Sequence, residues 1–335
     1  MRVLVCGGAG YIGSHMVRKL ISSGHTPVVF DNLSTGHSAA LDEAFRGAAE
    51  KGISPVLVKG DVLNVGDVEK LFDEQPVDAV IHFSAHSKVS ESLAKPALYY
   101  HGILVGSLNL LAAAIHSKVD TFIFSSTAAV YGTPETMPIE ESCPTNPISP
   151  FGQAAKMVEM ILEDYAQAQG LKSIALRYFN AAGADPEGRL GENHDPETHL
   201  IPNVLKAILG KTPPLDIFGN DYPTPDGTCI RDYVHVEDVA DAHLLALNHL
   251  CAQTGSGYFQ TFNVGSGKGF SVLEVMAAAE RVTGQWVPYT FTHRRAGDPA
   301  VLVASAEKAK QTLGWNPKYP SLDDIIRTAW RWFNK

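Results

Sequence analysis

Glycine, aspartate and arginine carry the chemistry that this sequence shows first. A glycine-rich run, Gly7-Gly8-Ala9-Gly10-Tyr11-Ile12-Gly13, follows the apolar segment Val3–Cys6 and leads into a helical pattern, Ser14–Ser23, that Gly24 ends. Glycines 7, 10 and 13 allow a tight turn, close approach of backbone to a pyrophosphate and close helix packing. The helix N-terminus adds free N–H groups and the positive end of its dipole. Asp31 closes the next apolar segment, eighteen positions beyond Gly13. A carboxylate there accepts hydrogen bonds from a ribose 2′-OH and repels a 2′-phosphate. No arginine stands in Asn32-Leu33-Ser34, so the pattern favours NAD over NADP. A plain βα turn is the alternative. Gly60-Asp61-Val62 sets another carboxylate beyond a third strand, beside an adenine amino group or in a solvated turn.

These groups need strands to position them. Val3–Cys6, Val28–Asp31, Val56–Lys59, Ala79–Phe83, Phe122–Ser126 and Ser173–Arg177 read as short strands, with stretches between them long enough for crossover helices. That alternation predicts an α/β fold with a Rossmann-type doubly wound parallel sheet covered on both faces. After Asn180 the rhythm breaks at the Gly/Pro/Asp-rich stretch Ala184–Glu197 and gives way to shorter mixed elements. The expected division is a dinucleotide-binding domain over 1–180 and a smaller mixed α/β substrate domain over 181–335, with segments such as 232–250 returning to the first.

Composition narrows the classes. The 335 residues include 27 basic and 36 acidic ones, a net charge of −9, and no Lys/Arg cluster stands out. Nucleic acid is therefore not an expected partner. Cys6, Cys143, Cys229 and Cys251 form no CxxC pair, which fits a reduced, cytoplasmic compartment and gives no zinc knuckle. His82 and His86 straddle a predicted strand end instead of sharing a helix face, so no metal is expected. No apolar run approaches the roughly 20 residues of a membrane helix, and no leader pattern opens the chain.

Several motifs together resemble a known family. GGAGYIGS, Asp31-Asn32-Leu33, Gly60-Asp61-Val62, His82-Phe83, Ser125–Gly132, Arg177-Tyr178-Phe179-Asn180 and Asp226–His235 are similar to the extended short-chain dehydrogenases/reductases, in their UDP-hexose 4-epimerase branch. The resemblance runs from Met1 to about Trp315. It implies an isomerase with tightly held NAD that interconverts UDP-glucose and UDP-galactose by oxidation at C4, turning of the ketose and reduction, acting as a homodimer in galactose metabolism. It further implies cofactor contacts from Gly7, Gly10, Tyr11, Ile12, Gly13, Asp31, Asn32, Asp61, Val62, Phe83, Ala85 and Tyr178. Thr127 matches the hydroxyl that orients the sugar. Arg231 and Arg295 match positions that hold the diphosphate, Asn180 a phosphate or sugar contact, and Asp298 a ribose contact. Leu200, Ile217 and Phe218 fall in segments that line the uracil slot. Val301 lies near the position whose size sets whether an N-acetyl group is admitted. The alternatives are a surface ion pair, for instance Arg231 with Asp232, and core packing for the apolar trio.

The resemblance fails where the proton moves. The family carries Tyr-x-x-x-Lys at the start of the helix after Asn146–Pro150, with the Tyr taking the 4-OH proton and the Lys lowering its pKa. An ungapped match puts Phe151 and Ala155 at those two catalytic positions. Lys156 is one residue on, about 100° further around the helix, and is expected to point elsewhere. Gly102 and Ile103 stand where the family commonly has an Asn pair. His86, His101 and Tyr131 are the candidate substitutes for the proton carrier, with a structural or rim role as the alternative for each, since no spacing aims any of them at a C4 hydroxyl. The expected function is therefore an NAD-dependent UDP-sugar 4-epimerase scaffold with impaired catalysis. A non-catalytic or repurposed NAD/nucleotide-sugar-binding relative is the alternative. A dehydratase or decarboxylase is disfavoured, because Ala128-Ala129 replace the acidic pair that dehydratases place after the Thr. Helices Pro96–His116 and Gly152–Gly170 are the expected dimer interface.

Overall fold

The computed structural model describes residues 1–295 and 298–335. Six strands form where the apolar runs predict them: β1 (Arg2–Cys6), β2 (Thr26–Asp31), β3 (Val56–Lys59), β4 (Ala79–His82), β5 (Thr121–Thr127) and β6 (Lys172–Tyr178). Val3, Leu4, Val5 and Cys6 are fully buried, because helices cover both faces of a parallel sheet and leave no polar side. The edge strand β3 exposes Leu57.

After β7 (Asn180–Ala182), β8 (Leu215–Phe218) and β9 (Ile230–His235), the chain returns to the large sheet through β10 (Tyr258–Val264). The resulting seven-stranded order is β10-β6-β5-β4-β1-β2-β3, parallel throughout. The chain runs outward from β1 in one direction and from β4 in the other. Ligands of such sheets bind at that switch point, beyond the carboxyl ends of the strands.

Five helices matter for the site: α1 (Tyr11–Ser22), α2 (Gly106–His116), α3 (Pro150–Gln169), α4 (Leu200–Ile208) and α5 (Val236–Ala252). Helix α3 starts where Ser149 accepts a hydrogen bond from Gly152 N (3.2 Å), has Pro150 in its first turn and ends at Gly170 with φ +72°, a cap at each end of the kind that stops fraying. Helix α5 packs against α1, and β10 joins the large sheet beside β6.

The helix expected over Pro96–His116 forms, with a change of pitch inside it. A short α-turn, Pro96–Tyr99, passes into wider π-type turns over Tyr100–Val105 before α2 begins. Gly106 is required at that junction, since a Cβ there would lie 2.8 Å from Val62 Cγ2. By length and composition the 21 residues 96–116 would suffice to cross a membrane, contrary to the expectation from the sequence. Tyr99, Ile103, Leu110, Leu111 and Ala114 are instead buried against the sheet, as in a core helix.

The rest of the second half builds a smaller layer. β9 pairs in parallel with β7, antiparallel with β11 (Gly269–Ser271) and in parallel with β13 (Val301–Leu302), while β12 (Tyr289–Thr292) pairs with β8. Its core joins Ile201, Val204 and Leu205 of α4 to Val275, Ile325 and Ile326 of two further helices.

Candidate functional site

A cleft of about 1640 Å³ lies over the carboxyl ends of β1 to β6 and is closed on its far side by the smaller layer. Its first wall is the glycine turn. Gly7 has φ +80°, and a Cβ on it would come within 2.8 Å of Ser84 N. A Cβ on Gly13 would sit 2.1 Å from Gly7 O. Only glycine lets α1 start this close to the strand, and Gly10 caps that helix without a side chain, leaving first-turn N–H groups free for an anion. Asp31 Oδ2 accepts from Ala9 N (2.9 Å) and Oδ1 from Leu33 N (2.8 Å). These bonds fix the carboxylate between the glycine turn and the next turn while it faces the cleft. Asp61 accepts from Asn32 Nδ2 (3.0 Å) and Leu63 N (2.9 Å). Tyr11, Ile12, Asn32, Val62, Phe83, Ala85 and Tyr178 line the same wall. A cradle that a Cβ would fill, followed by a fixed carboxylate, fits a dinucleotide with an unphosphorylated ribose.

At the centre, Thr127 ends β5, and its Oγ1 accepts from Ala129 N (3.1 Å). Phe151, in the first turn of α3, faces the cleft with its ring edge-on to Tyr99, 6.2 Å between centroids. Ala155 is buried in the core beneath and does not line the cleft. Lys156 turns away and donates to Thr145 O (2.6 Å). Tyr131 is tied down in a buried network, donating to Asn263 Oδ1 (2.7 Å) and accepting from Arg177 Nη1 (2.9 Å). His86 lines the cleft, whereas His101 is not among its lining residues. Three tyrosines line the cleft, Tyr11, Tyr178 and Tyr233. Burial pushes Tyr178 up to about 12 and raises both others, with Glu192 adding to the effect at Tyr11. None of these phenols is prepared to act as a base.

The far wall is cationic and apolar. Arg231 Nη1 donates to Ile230 O (2.7 Å), and Nη2 to Pro299 O (2.7 Å) and the Asp298 carboxylate. The alternative partner, Asp232, is fully buried and accepts from Ser266 N and Oγ (both 2.7 Å), Gly267 N (3.0 Å) and Ala304 N (3.1 Å). It is thus committed elsewhere. Arg295 lies over the Phe218 ring, 3.8 Å from its centroid. Asn180 Nδ2 donates to Asp232 O (2.9 Å), and Leu200 and Ile217 complete an apolar slot. Val301 departs from expectation. It is paired with Ile230 in β13 and does not line the cleft, whereas its neighbour Leu302 does. Successive strand residues face opposite ways, so a one-residue shift exchanges them. Of the segment 295–300, Ala296 and Gly297 lie outside the described residues.

Two features escaped the sequence reading. Lys88 reaches across the cleft to Pro196 O (3.1 Å). The loop 192–199, read as a connector, brings Glu192, His194, Glu197 and His199 into one cluster on the cleft wall. Burial opposes charge on His194, but Glu192 and Glu197 override it and hold its pKa up at about 9. The visible signal was Glu-x-His written twice, five positions apart.

A family model described as the NAD dependent epimerase/dehydratase family matches residues 3–265. A UDP-glucose 4-epimerase of Lactobacillus helveticus is 46% identical over 99% of this chain and 97% of its own length. The crystal structure of UDP-glucose 4-epimerase from Brucella ovis in complex with NAD superposes with a TM-score of 0.92 at 45% identity, covering 99% of this chain and 98% of that one. A UDP-glucose-4-epimerase from Stenotrophomonas maltophila with bound NAD and formylated UDP-arabinopyranose gives 0.93 at 40% identity, covering 100% and 98%.

Proposed function

We propose a function from the premise that the chain belongs to the NAD dependent epimerase/dehydratase family: it binds NAD and a UDP-sugar on a UDP-glucose 4-epimerase scaffold and turns the sugar over poorly. The observation that carries this reading is Phe151 facing the cleft above a buried Ala155, with Lys156 turned away.

Residues 1–180 with the returning α5 and β10 hold the cofactor, and the remaining elements of 181–335 hold the nucleotide sugar. Bound there, NAD would supply the hydride acceptor, and afterwards the hydride donor, for the sugar C4. Gly7, Gly10 and Gly13 admit its pyrophosphate to the start of α1, and Asp31 receives the ribose hydroxyl. Thr127 holds the sugar 4-OH. Arg231 and Arg295 bind the diphosphate, for which Arg231 exchanges its Asp298 partner, and Asp298 is freed to meet the uridine ribose. Leu200, Ile217 and Phe218 clasp the uracil, with Asn180 at the phosphate or sugar. Phe151 excludes water but cannot take a proton, and the loss of a positioned base lowers rates by about 10²–10⁴.

A second reading rests on the same pair of residues. With base and ammonium both gone, the chain serves as a non-catalytic NAD and nucleotide-sugar binder. Four free thiols suit a reducing cytoplasm. Leu108 on α2 with Met157 and Met160 on α3 remains exposed, which supports a homodimer through those helices.

The test is to denature the purified protein, identify released dinucleotide by mass spectrometry, and assay the native protein on UDP-galactose. NAD in the supernatant with slow conversion is expected. An empty supernatant overturns the cofactor assignment, and fast conversion overturns the impairment. Binding with no conversion selects the second reading.

A further inference from the structure

The 192–199 loop carries groups that the epimerase reading does not use. One donor atom each from Glu192, His194, Glu197 and His199 lies within 4.8 Å of the others. His194 Nδ1 is 3.0 Å from Glu192 Oε1, and His199 Nδ1 closes on that same oxygen. Glu197 Oε1 is 3.8 Å from both imidazole nitrogens. A tetrahedral cation with bonds of about 2.0–2.2 Å requires donors roughly 3.3–3.6 Å apart, so Glu197 Oε1 stands close to that separation from both imidazoles, while His199 and Glu192, now in direct contact, must part to admit the ion.

A separate observation points to a missing ligand. The side chains of Glu192 and Glu197 are each 3% exposed. Glu197 Oε2 is buried without a hydrogen-bond partner, and Lys206 Nζ stands 3.8 Å from it. Two carboxylates this buried are costly without compensating positive charge, and a cation at Glu197 Oε1, which also accepts from Thr198 N (2.8 Å) and His199 N (3.0 Å), adds to what Lys206 supplies at Oε2.

The loop is also braced from outside. Trp332 Nε1 donates to Glu192 O (2.9 Å), His37 Nε2 meets Asn193 O (2.9 Å), and Lys88 Nζ donates to Pro196 O (3.1 Å). Its ligating residues are therefore positioned by three distant elements of the chain.

We propose that Glu192, His194, Glu197 and His199 form a four-ligand site for a divalent d-block cation, which ties the loop to the cleft wall beside Tyr11. Two imidazoles with two carboxylates suit zinc better than magnesium or calcium, which prefer all-oxygen sites. Four protein ligands leave no open position, so the ion holds structure and does no chemistry. The site stands whether or not the sugar is turned over.

The test titrates the tag-free full chain, stripped by a chelator, with Zn²⁺ in a calorimeter and with Co²⁺ by visible absorption. One equivalent of Zn²⁺, release by chelator and a tetrahedral Co²⁺ band are expected. His194→Ala and Glu197→Gln each weaken affinity at least about tenfold, while His116→Ala, at an exposed histidine on α2, leaves it unchanged. Thermal unfolding without metal checks that each variant is folded, and His199→Gln replaces any that is not. Absence of a stoichiometric site, an octahedral Co²⁺ spectrum, or equal affinity in folded ligand variants overturns the proposal. The cluster would then be two imidazolium–carboxylate pairs.

Discussion

Changing Phe151→Tyr and Ala155→Lys together returns the two missing groups to one face of α3, about 40° and 6 Å apart along the helix. The size of the gain follows from what the cleft does to phenols. Burial raises the pKa of the tyrosines on the same cleft, and even a phenol at the ordinary value near 10 is ionised in only about one molecule in 10³ at neutral pH. Phe151→Tyr alone therefore gives little turnover. An ammonium within ~4–6 Å lowers such a pKa by about 1–3 units, so the double variant should exceed the single by about 10–10³ in rate, or roughly 1.4–4 kcal/mol of barrier. Ala155→Lys alone adds no base. Because Ala155 is only 2% exposed, that lysine overfills its surroundings at about 1–3 kcal/mol and should lower the melting temperature without raising turnover. The assay is conversion of UDP-galactose by the parent, both singles and the double, each checked for folding and bound dinucleotide. The double variant should also gain rate with rising pH up to the pKa of its phenol. A folded, cofactor-loaded double variant no faster than Phe151→Tyr, or a parent already as fast as the double, would refute the reasoning, and His86 would be tested next.

Asp31→Ala should cut the preference for NAD over NADP at least about tenfold, because two anchored carboxylate oxygens no longer repel a 2′-phosphate; an unchanged ratio of bound dinucleotides, read by mass spectrometry, contradicts the contact. Gly13→Ala should empty the cofactor site, since its Cβ would stand 2.1 Å from Gly7 O; retention of full dinucleotide would show that the turn yields. His82, buried against Ser107, has its pKa lowered to about 4 by burial. The unfolded chain then takes up a proton that the folded one refuses, so this stability is present above about 6.5 and is lost as pH falls towards 4, about 3 kcal/mol in all. Denaturant titrations should show that much less acid destabilisation in His82→Gln, and an identical pH profile would contradict it. Leu302→Tyr should weaken UDP-N-acetylglucosamine more than UDP-glucose, by about ten- to a hundredfold, with Val301→Tyr leaving both unchanged; calorimetry giving the reverse order would restore Val301 to the pocket.

The parts that were legible in the sequence are those where one residue's local demands decide the outcome. Valine and isoleucine runs bounded by turns are too short for helices and form the buried strands, and Gly7 and Gly13 stand where the turn into α1 leaves no room for a Cβ. Where several segments had to meet, the sequence said less. Nothing local tells Val301 from Leu302, because facing depends on the register against Ile230, and a one-residue shift inverts it. Arg231 met Asp298, far along the chain, because its sequence neighbour Asp232 was already taken by four donors from two other segments. The π-type turns at Tyr100–Val105 run into Gly106, where a Cβ would meet Val62 from a distant segment, a demand that helical periodicity does not encode. The 192–199 cluster is the clearest case. Its Glu-x-His pairs are short and lie in a stretch rich in turn formers, so they read as a solvated connector, and only the tryptophan, histidine and lysine that brace the loop from elsewhere turn them inward to share one carboxylate oxygen. The two positions on which the proposed impairment rests, Phe151 and Ala155, needed no such assembly. That phenylalanine and alanine carry no ionisable group is visible in the residue types themselves, and what the fold adds is that, among the described residues, the tyrosines lining the cleft all have their pKa raised by burial.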